Sequence, residues 1–235
     1  MIEGFNECEI SYVPQKSDAW FELRKDKITA SKVGTWFIDK GQSKRTLDAR
    51  DKAIAELLAA RKKTNEPRTI PNFEVGDPPP TSAHLWPIWN GVQLEPDARD
   101  LFQEMNNEEV IEVGFCTSKY GHSGNSPDGL IDGGEGLEIK CPSLATHKFY
   151  IERGVLPESY KNQVHFSMAV TGAKAWWFFS YSKFAPPFQV YVERDKFTEQ
   201  MVDGIKRFSE LFEKRLKQDI ENEKVFEEAF GVKYE

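Results

Sequence analysis

The chain has 235 residues, a length typical of one large domain or two small ones. Hydrophobic residues make up 39% and charged residues 29%, which is typical of a globular protein. No apolar run approaches the ~20 residues of a membrane span, and residues 1–5 lack the basic and apolar regions of a signal peptide. Three cysteines without a CxxC spacing argue against a disulfide scaffold and a cysteine zinc site, and they favour a cytoplasmic location.

The negative charge is concentrated in the middle of the chain. The formal net charge is −7, which taken alone argues against a nucleic-acid partner. Residues 71–140, however, hold 13 acidic side chains against three basic ones, whereas residues 1–70 hold 14 basic side chains against 11 acidic ones. Clustered acids can bind divalent metals, which prefer oxygen ligands, or can form a solvated acidic surface, and charge alone leaves both alternatives open.

The first part of the chain has helical periodicity. Apolar spacing predicts two short helices over residues 18–23 and 29–37, followed by a longer helix over residues 47–61. Residues 41–46 are polar and predict a loop. The prolines of residues 65–87 exclude a helix or a central strand there, so this segment is predicted to be an irregular loop.

The period changes from helical to strand-like after a helix over residues 94–105, in which Pro96 is tolerated only in the first turn. Short strands are predicted over residues 110–116, 119–121, 129–132 and 137–141. The remaining predicted elements are helices over residues 143–153 and 158–170, strands over 175–181 and 188–192, and a helical C-terminal segment over 195–230 interrupted near Asp219. This order predicts an α/β (α+β) fold with residues 1–235 in a single domain.

The residues that carry chemistry lie on either side of a glycine turn. Asp128 precedes the turn, and Glu138 and Lys140 follow it on a predicted strand. Alternate residues of a strand share a face, so Glu138 and Lys140 point to one side, and the hairpin brings Asp128 close. Two carboxylates and an ammonium suit metal-dependent phosphodiester hydrolysis. A hairpin with a Glu–Lys pair on its solvent face is the alternative.

Five patches of sequence strengthen the first interpretation. They are Asp18-Ala19-Trp20 with Leu23-Arg24 and Ile28-Thr29-Ala30-Ser31; Gly91 with Glu95 and Ala98-Arg99-Asp100-Leu101-Phe102; Ser126-Pro127-Asp128-Gly129; Gly136-Leu137-Glu138-Ile139-Lys140-Cys141-Pro142; and Tyr160 with Gln163-Val164 and Ser167-Met168. In this order they resemble the lambda-type alkaline exonucleases, the viral-recombinase branch of the PD-(D/E)xK nuclease superfamily. The resemblance implies a restriction-endonuclease-like core with a central mixed β-sheet flanked by helices.

The resemblance also implies roles for individual residues. The metal-binding and catalytic positions match Asp128, Glu138, the backbone carbonyl of Ile139, the lysine Lys140, and Glu95 near a second metal. A pocket for the 5′-phosphate of the digested DNA strand matches Arg24, Ser31, Ser126 and Gln163. Without the resemblance, Arg24 could form a surface ion pair with Glu22 or Asp26, and Gln163 could be an exposed helix residue.

The implied activity is Mg²⁺-dependent 5′→3′ digestion of one strand of linear double-stranded DNA, with two metal ions and with Mn²⁺ as a possible substitute. The resulting 3′ overhang would serve phage-type recombination with a single-strand annealing protein in a bacterial host cell. The resemblance also implies a homotrimeric ring around DNA. We expect no membrane partner. An endonuclease of the same superfamily and a non-catalytic DNA-binding module on that fold are the alternatives. The basic segment Ser43-Lys44-Arg45 is a candidate duplex contact by position.

Overall fold

The computed structural model describes residues 2–39, 43–62 and 73–230. Within these ranges the strands, in chain order, are β1 (Cys8–Ser11), β2 (Ile28–Thr29), β3 (Val110–Ile111), β4 (Phe115–Ser118), β5 (Ser123–Asn125), β6 (Gly129–Ile131), β7 (Glu135–Lys140), β8 (Ala175–Ser180) and β9 (Phe188–Glu193). The α-helices are α1 (Asp18–Arg24), α2 (Thr35–Ile38), α3 (Lys44–Lys62), α4 (Trp86–Asn106), α5 (Leu144–Arg153), α6 (Glu158–Thr171) and α7 (Lys196–Phe230).

Two mixed sheets form the frame. The larger sheet has the order β3-β6-β7-β8-β9, and β7 runs parallel to β8 while the other neighbours are antiparallel. The smaller sheet has the order β1-β4-β5-β2, in which β2 and β5 are parallel. The prediction of a mixed α/β fold with a central mixed sheet flanked by helices is confirmed.

Helix α6 lies at the centre of the molecule. Every residue from 164 to 171 is buried, and the helix packs against α7, β4, β5 and β8. These buried residues include the polar His165, Ser167 and Thr171, so neighbouring elements enclose this part of the helix on every side. The hydrophobic cluster around it therefore joins the two sheets to the C-terminal helix, with Phe166, Met168 and Phe208 among its members.

The helix predicted over residues 29–37 is wrong. Ile28 and Thr29 pair with β5, residues Ala30–Lys32 form a single 3₁₀ turn, and only Thr35–Ile38 is α-helical. β-Branched side chains favour a strand when a partner strand is available. Gly34 is extended at φ −120° and precedes α2, so the turn and α2 are separate elements.

Helix α4 begins at Trp86, eight residues before the predicted start, and Pro96 lies inside it. Proline has no N–H group, so the carbonyl of Val92 loses its usual intrahelical donor. The helix continues because Ala98 and Phe102, both 0% exposed, pack on the larger sheet. Tertiary packing outweighs the local cost of the proline.

Other boundaries also differ from the predictions. Residues 119–121 form a turn rather than a strand, and neither β1 nor β5 was predicted. Helix α7 is continuous through Asp219, whose carboxylate lies 2.9 Å from the ammonium of Lys62. The predicted loop over 41–46 is wrong from Lys44 onward, because Ser43 accepts a hydrogen bond from the Thr46 amide and starts α3.

Residues 65–72 of the predicted proline-rich loop, and 41–42 of the polar loop, lie outside the described residues. Of the rest of the proline-rich segment, residues 83–85 form a 3₁₀ turn that leads directly into α4. Within the described ranges, no helix combines the length and the apolar composition needed to cross a membrane.

Candidate active site

The hairpin β6–β7 holds Asp128 beside the strand that carries Glu138 and Lys140. The amide of Asp128 donates to the Leu137 carbonyl over 3.2 Å, and Oδ2 of Asp128 accepts from the Ile139 amide over 2.6 Å. Both backbone and side chain of Asp128 are thereby fixed to β7. The predicted approach of Asp128 to Glu138 and Lys140 is present in the structure.

Glu138 and Lys140 form an ion pair in which the carboxylate is buried and the lysine is half-buried. The Lys140 ammonium contacts Oε1 of Glu138, whose side chain is only 3% exposed. Gln163 of α6 donates from Nε2 to the same carboxylate oxygen over 2.6 Å. The ammonium also lies 5.4 Å from the ring centroid of Tyr160. The alternative of a Glu–Lys pair on a solvent face is therefore wrong.

Burial makes these carboxylates hard to ionise. It raises the pKa of Glu138 to about 7, an effect that Lys140 opposes and the neighbouring Asp128 and Glu95 reinforce. Burial likewise raises the pKa of Asp128. Burial alone would lower the pKa of Lys140, but the carboxylates of Glu138 and Asp128 outweigh it and raise that pKa. The site thus favours additional positive charge near its acids.

Glu95 reaches the same site from the middle of α4. Arg99, one turn later, contacts the Glu95 carboxylate at 2.7 Å and the Glu112 carboxylate at 3.0 Å, and its Nε donates to the Asp128 carbonyl over 3.3 Å. Burial raises the pKa of Glu95 to about 7, and Asp128 adds to this while Arg99 opposes it. Sequence reasoning gave Arg99 no role, although its spacing of four residues from Glu95 was a usable signal.

Arg24 and Ser126 are in contact, 102 residues apart in sequence. Nη1 of Arg24 donates to Oγ of Ser126 over 2.9 Å, and the same oxygen accepts from Nε1 of Trp20 over 2.9 Å. Trp20 is buried, and the Arg24 guanidinium stacks over its ring at 4.0 Å from the centroid. Burial lowers the pKa of Arg24 to about 10. Stacking and hydrogen bonding together fix the orientation of the guanidinium.

The alternative of a surface ion pair for Arg24 is wrong. The carboxylate of Glu22 pairs with Lys25 at 3.5 Å. The carboxylate of Asp26 pairs with Lys27 at 2.7 Å. Arg24 instead turns toward Ser126, two residues before Asp128.

Ser31 and Gln163 are placed differently from Arg24. Thr29 pairs with Gly124 in parallel strands, so Ser31 and Ser126, each two residues further along, follow the same end of the smaller sheet. The Ser31 side chain is exposed there. Gln163 contacts Glu138 rather than Arg24 or Ser126. It therefore lies with the carboxylates and not in the phosphate pocket.

The carboxylates suit magnesium in donor type and charge. Among the described residues, no three His, Cys, Asp or Glu side chains are grouped closely enough to hold a metal ion. Mg²⁺ is usually bound through one or two carboxylates together with water and substrate phosphate oxygens, rather than in an all-protein cage. Asp128 and Glu138 supply two such carboxylates, and their raised pKa values favour a nearby cation.

Residues 19–174 match the model of the YqaJ-like viral recombinase domain. The chain belongs to this family. It is 29% identical to the alkaline exonuclease LHK-Exo from Laribacter hongkongensis, and it superimposes on two LHK-Exo structures. The complex with dAMP gives a TM-score of 0.66 over 86% of this chain and 95% of that one. The second structure gives 0.64 over 88% and 95%.

A phage related exonuclease from Haemophilus somnus 129PT is 11% identical and has a TM-score of 0.51, over 83% of this chain and 96% of that one; this likeness concerns the fold alone. No curated protein sequence matches the chain significantly. The resemblance to viral-recombinase alkaline exonucleases that the sequence motifs predict is confirmed by the family model and by LHK-Exo.

Proposed function

We propose that the protein is a Mg²⁺-dependent exonuclease that degrades one strand of linear double-stranded DNA in the 5′→3′ direction. The contact of Arg24 with Ser126, two residues from Asp128, carries this proposal. An enzyme that cuts within a strand needs no pocket for a terminal phosphate. A half-buried, oriented arginine close to the half-buried Asp128 therefore favours an exonuclease over an endonuclease.

Arg24 would bind the 5′-phosphate of the strand being digested. A guanidinium has five N–H donors in a planar fork, and the contact with Ser126 uses one of them. The Ser126 hydroxyl, and Ser31 at the same sheet end, would add neutral donors. Gln163 would orient the Glu138 carboxylate, to which its amide donates.

Asp128, Glu138 and the backbone carbonyl of Ile139 would hold one Mg²⁺, and Glu95 would serve a second. Mg²⁺ held there would polarise the scissile phosphate and lower the pKa of a coordinated water. Lys140 keeps a positive charge beside Glu138 and would stabilise the hydroxide as it forms. Arg99 holds Glu95 in place from the next helical turn.

In the proposed reaction the oxygen of a water molecule bonds to phosphorus while the bond between phosphorus and the 3′-oxygen of the terminal nucleotide breaks, and the 3′-oxygen leaves as a hydroxyl with a proton that the water gives up. The shortened strand keeps the phosphate as its new 5′ end, which Arg24 can bind again. Repetition leaves a 3′ single-stranded overhang on the complementary strand. We propose a single-strand annealing protein as the partner that takes up this product in phage-type recombination.

We also propose a homotrimeric ring, in a bacterial host cell. A chain with a net charge of −7 that grips a polyanion must segregate its basic groups. A closed ring does so by turning them toward a central channel. A cyclic trimer uses one heterologous interface repeated until it closes.

Incubation of linear and closed circular duplex DNA with Mg²⁺ tests the activity. Loss of the linear form only, with label released first from 5′ ends, supports the proposal. Cutting of the circle would indicate an endonuclease, and binding without cutting would indicate a DNA-binding module. Asp128→Ala should be inactive, while Asp132→Ala, an exposed residue in the turn of the same hairpin, is the matched control.

A further inference from the structure

A cavity of about 430 Å³ opens directly onto the candidate metal ligands Glu95 and Asp128. Its walls are residues 12–16 before α1, part of α4 including Arg99, residues 112–114, Pro127, and Val75 from the segment that precedes α4. Glu112 therefore also faces it, with its carboxylate paired to Arg99 at 3.0 Å. Among the described residues that line it, neither Arg24 nor any other member of the proposed 5′-phosphate pocket occurs. The cavity therefore reaches the carboxylates separately from that pocket.

Lys16 lines this cavity in an unusual backbone conformation. Its φ is +67°, in the left-handed region that residues other than glycine seldom adopt. Its neighbours hold it there. Nε2 of Gln15 donates to the carbonyls of Val113 and Pro127, each over 3.1 Å, and Ser17 caps α1 by accepting from the Trp20 amide. Such conformations persist where the surroundings over-determine them, and they cluster at functional sites.

The wall that contains Val75 is tied both to α4 and to Lys16. Gln93 of α4 accepts from the Gly76 amide over 2.6 Å and donates to the Glu74 carbonyl over 2.6 Å. The Lys16 ammonium donates to the Phe73 carbonyl over 3.3 Å. The charge of Lys16 thus sits at a fixed point of the cavity. Lys16, Glu95 and Asp128 line the same cavity.

We propose that this cavity binds the DNA strand on the retained side of the cleavage point, and that Lys16 contacts the first phosphate beyond the scissile one. This inference rests on the proposed function. With the terminal phosphate at Arg24 and the scissile phosphate at Asp128, the rest of the strand needs a separate path from the carboxylates. Lysine is a point charge well suited to a phosphate. Tyr12, 60% exposed at the cavity edge, offers a ring on which a base can stack.

The test compares wild type and Lys16→Met on 5′-phosphorylated duplexes that carry, or lack, a neutral methylphosphonate at that first retained phosphate. With the ordinary substrate, Lys16→Met should raise KM about tenfold, change kcat little, and reduce the log-log salt slope by about one. The methylphosphonate should raise the KM of wild type by a similar factor. It should hardly raise the KM of Lys16→Met further, because the variant has already lost the same contact.

Further variants separate the effect of the Lys16 charge from the effect of the hydrogen bonds that hold residues 74–76. Lys16→Arg keeps the charge and should retain sensitivity to the methylphosphonate. Gln93→Ala removes the two bonds that hold residues 74–76 but leaves the ammonium, so its salt slope should stay that of wild type. Lys52→Ala on α3, whose side chain is 78% exposed, should match wild type throughout. If Lys16→Met folds poorly, Lys16→Gly carries the same comparison, because glycine accepts the positive φ.

The inference is overturned if the methylphosphonate raises the KM of Lys16→Met by the same factor as the KM of wild type. It is also overturned if Lys16→Met has the same salt slope as wild type. Failure of the proposed function is a different result, in which wild type itself does not digest linear duplex DNA from its 5′ ends.

Discussion

The pH dependence of stability should reveal Glu138, because the folded chain makes its carboxyl harder to ionise. Its pKa rises through burial from the ordinary 4.5 to about 7. Between these values the folded state holds a proton that the unfolded state has released. The metal-free protein should therefore lose stability as the pH rises through that interval, and Glu138→Gln, which cannot ionise, should lose correspondingly less.

The interval from 4.5 to about 7 corresponds to about 3 kcal/mol of unfolding free energy from this one carboxyl. The loss begins above pH 4.5 and is complete somewhat above pH 7. Exposure hardly reduces it, since the side chain is 3% exposed. The glutamine in Glu138→Gln retains an oxygen that can accept from Gln163 and Lys140, so the packing of the pair changes little.

Urea unfolding at pH 5 and pH 8 in the presence of a chelator measures this quantity. The free energy of unfolding of Glu138→Gln minus that of wild type should be larger at pH 8 than at pH 5, by up to about 3 kcal/mol. Adding Mg²⁺ at pH 8 should stabilise wild type and have a smaller effect on the variant, because a ligand that binds only the folded state raises its stability.

Glu135→Gln is the matched control on the same strand. Burial alone would raise the pKa of Glu135, but hydrogen bonds from Trp177, Lys174 and Tyr191 outweigh it and lower the pKa. The stability from that carboxylate is present above pH 4.5 and is lost only as the pH falls through its folded pKa. Glu135→Gln should therefore lower the free energy of unfolding by the same amount at pH 5 and at pH 8. If Glu138→Gln also shows a pH-independent difference from wild type, the electrostatic argument is refuted.

Three more predictions concern the proposed chemistry and assembly. Lys140→Met should lower the single-turnover cleavage rate by about 10²–10³-fold while Mg²⁺ binding persists; a rate near that of wild type would remove Lys140 from the site. Arg24→Ala should lose about 1.5–3 kcal/mol of the preference for 5′-phosphorylated over 5′-hydroxyl ends, measured as the ratio of kcat/KM values; an unchanged ratio would leave Arg24 without a role in end binding. Light scattering without DNA should give about 81 kDa, three times the 27.0 kDa chain, and a stable monomer at micromolar concentration would exclude the ring.

The part of the site that sequence could predict is the part built by local structure. Asp128, Glu138 and Lys140 lie on one hairpin, where strand alternation and a glycine turn determine which side chains meet. The contact of Arg24 with Ser126 depends instead on β2 and β5, two very short strands that pair in parallel across nearly a hundred residues. No local pattern encodes that pairing, so only the family resemblance placed these residues in one pocket.

The errors in predicted elements have a similar origin. Helix α4 continues through Pro96 because Ala98 and Phe102 are fully buried, which a rule based on the proline alone does not weigh. The tail helix was expected to break near Asp219, but Lys62 of α3 pairs with that carboxylate. In both cases a long-range contact compensates for an unfavourable local residue.

The parallel pairing of β7 with β8 has a consequence for the order in which activity can arise during synthesis. The proposed metal ligands and the lysine all precede residue 141, yet Glu138 pairs with Phe178 and Lys140 with Ser180 of β8. A parallel neighbour requires a crossover, here formed by α5 and α6, before the strand is enclosed. A nascent chain that has emerged only to the end of β7 carries the acids but lacks both Gln163 and the strand that buries them. The proposed nuclease activity can therefore arise only after β8 has left the ribosome.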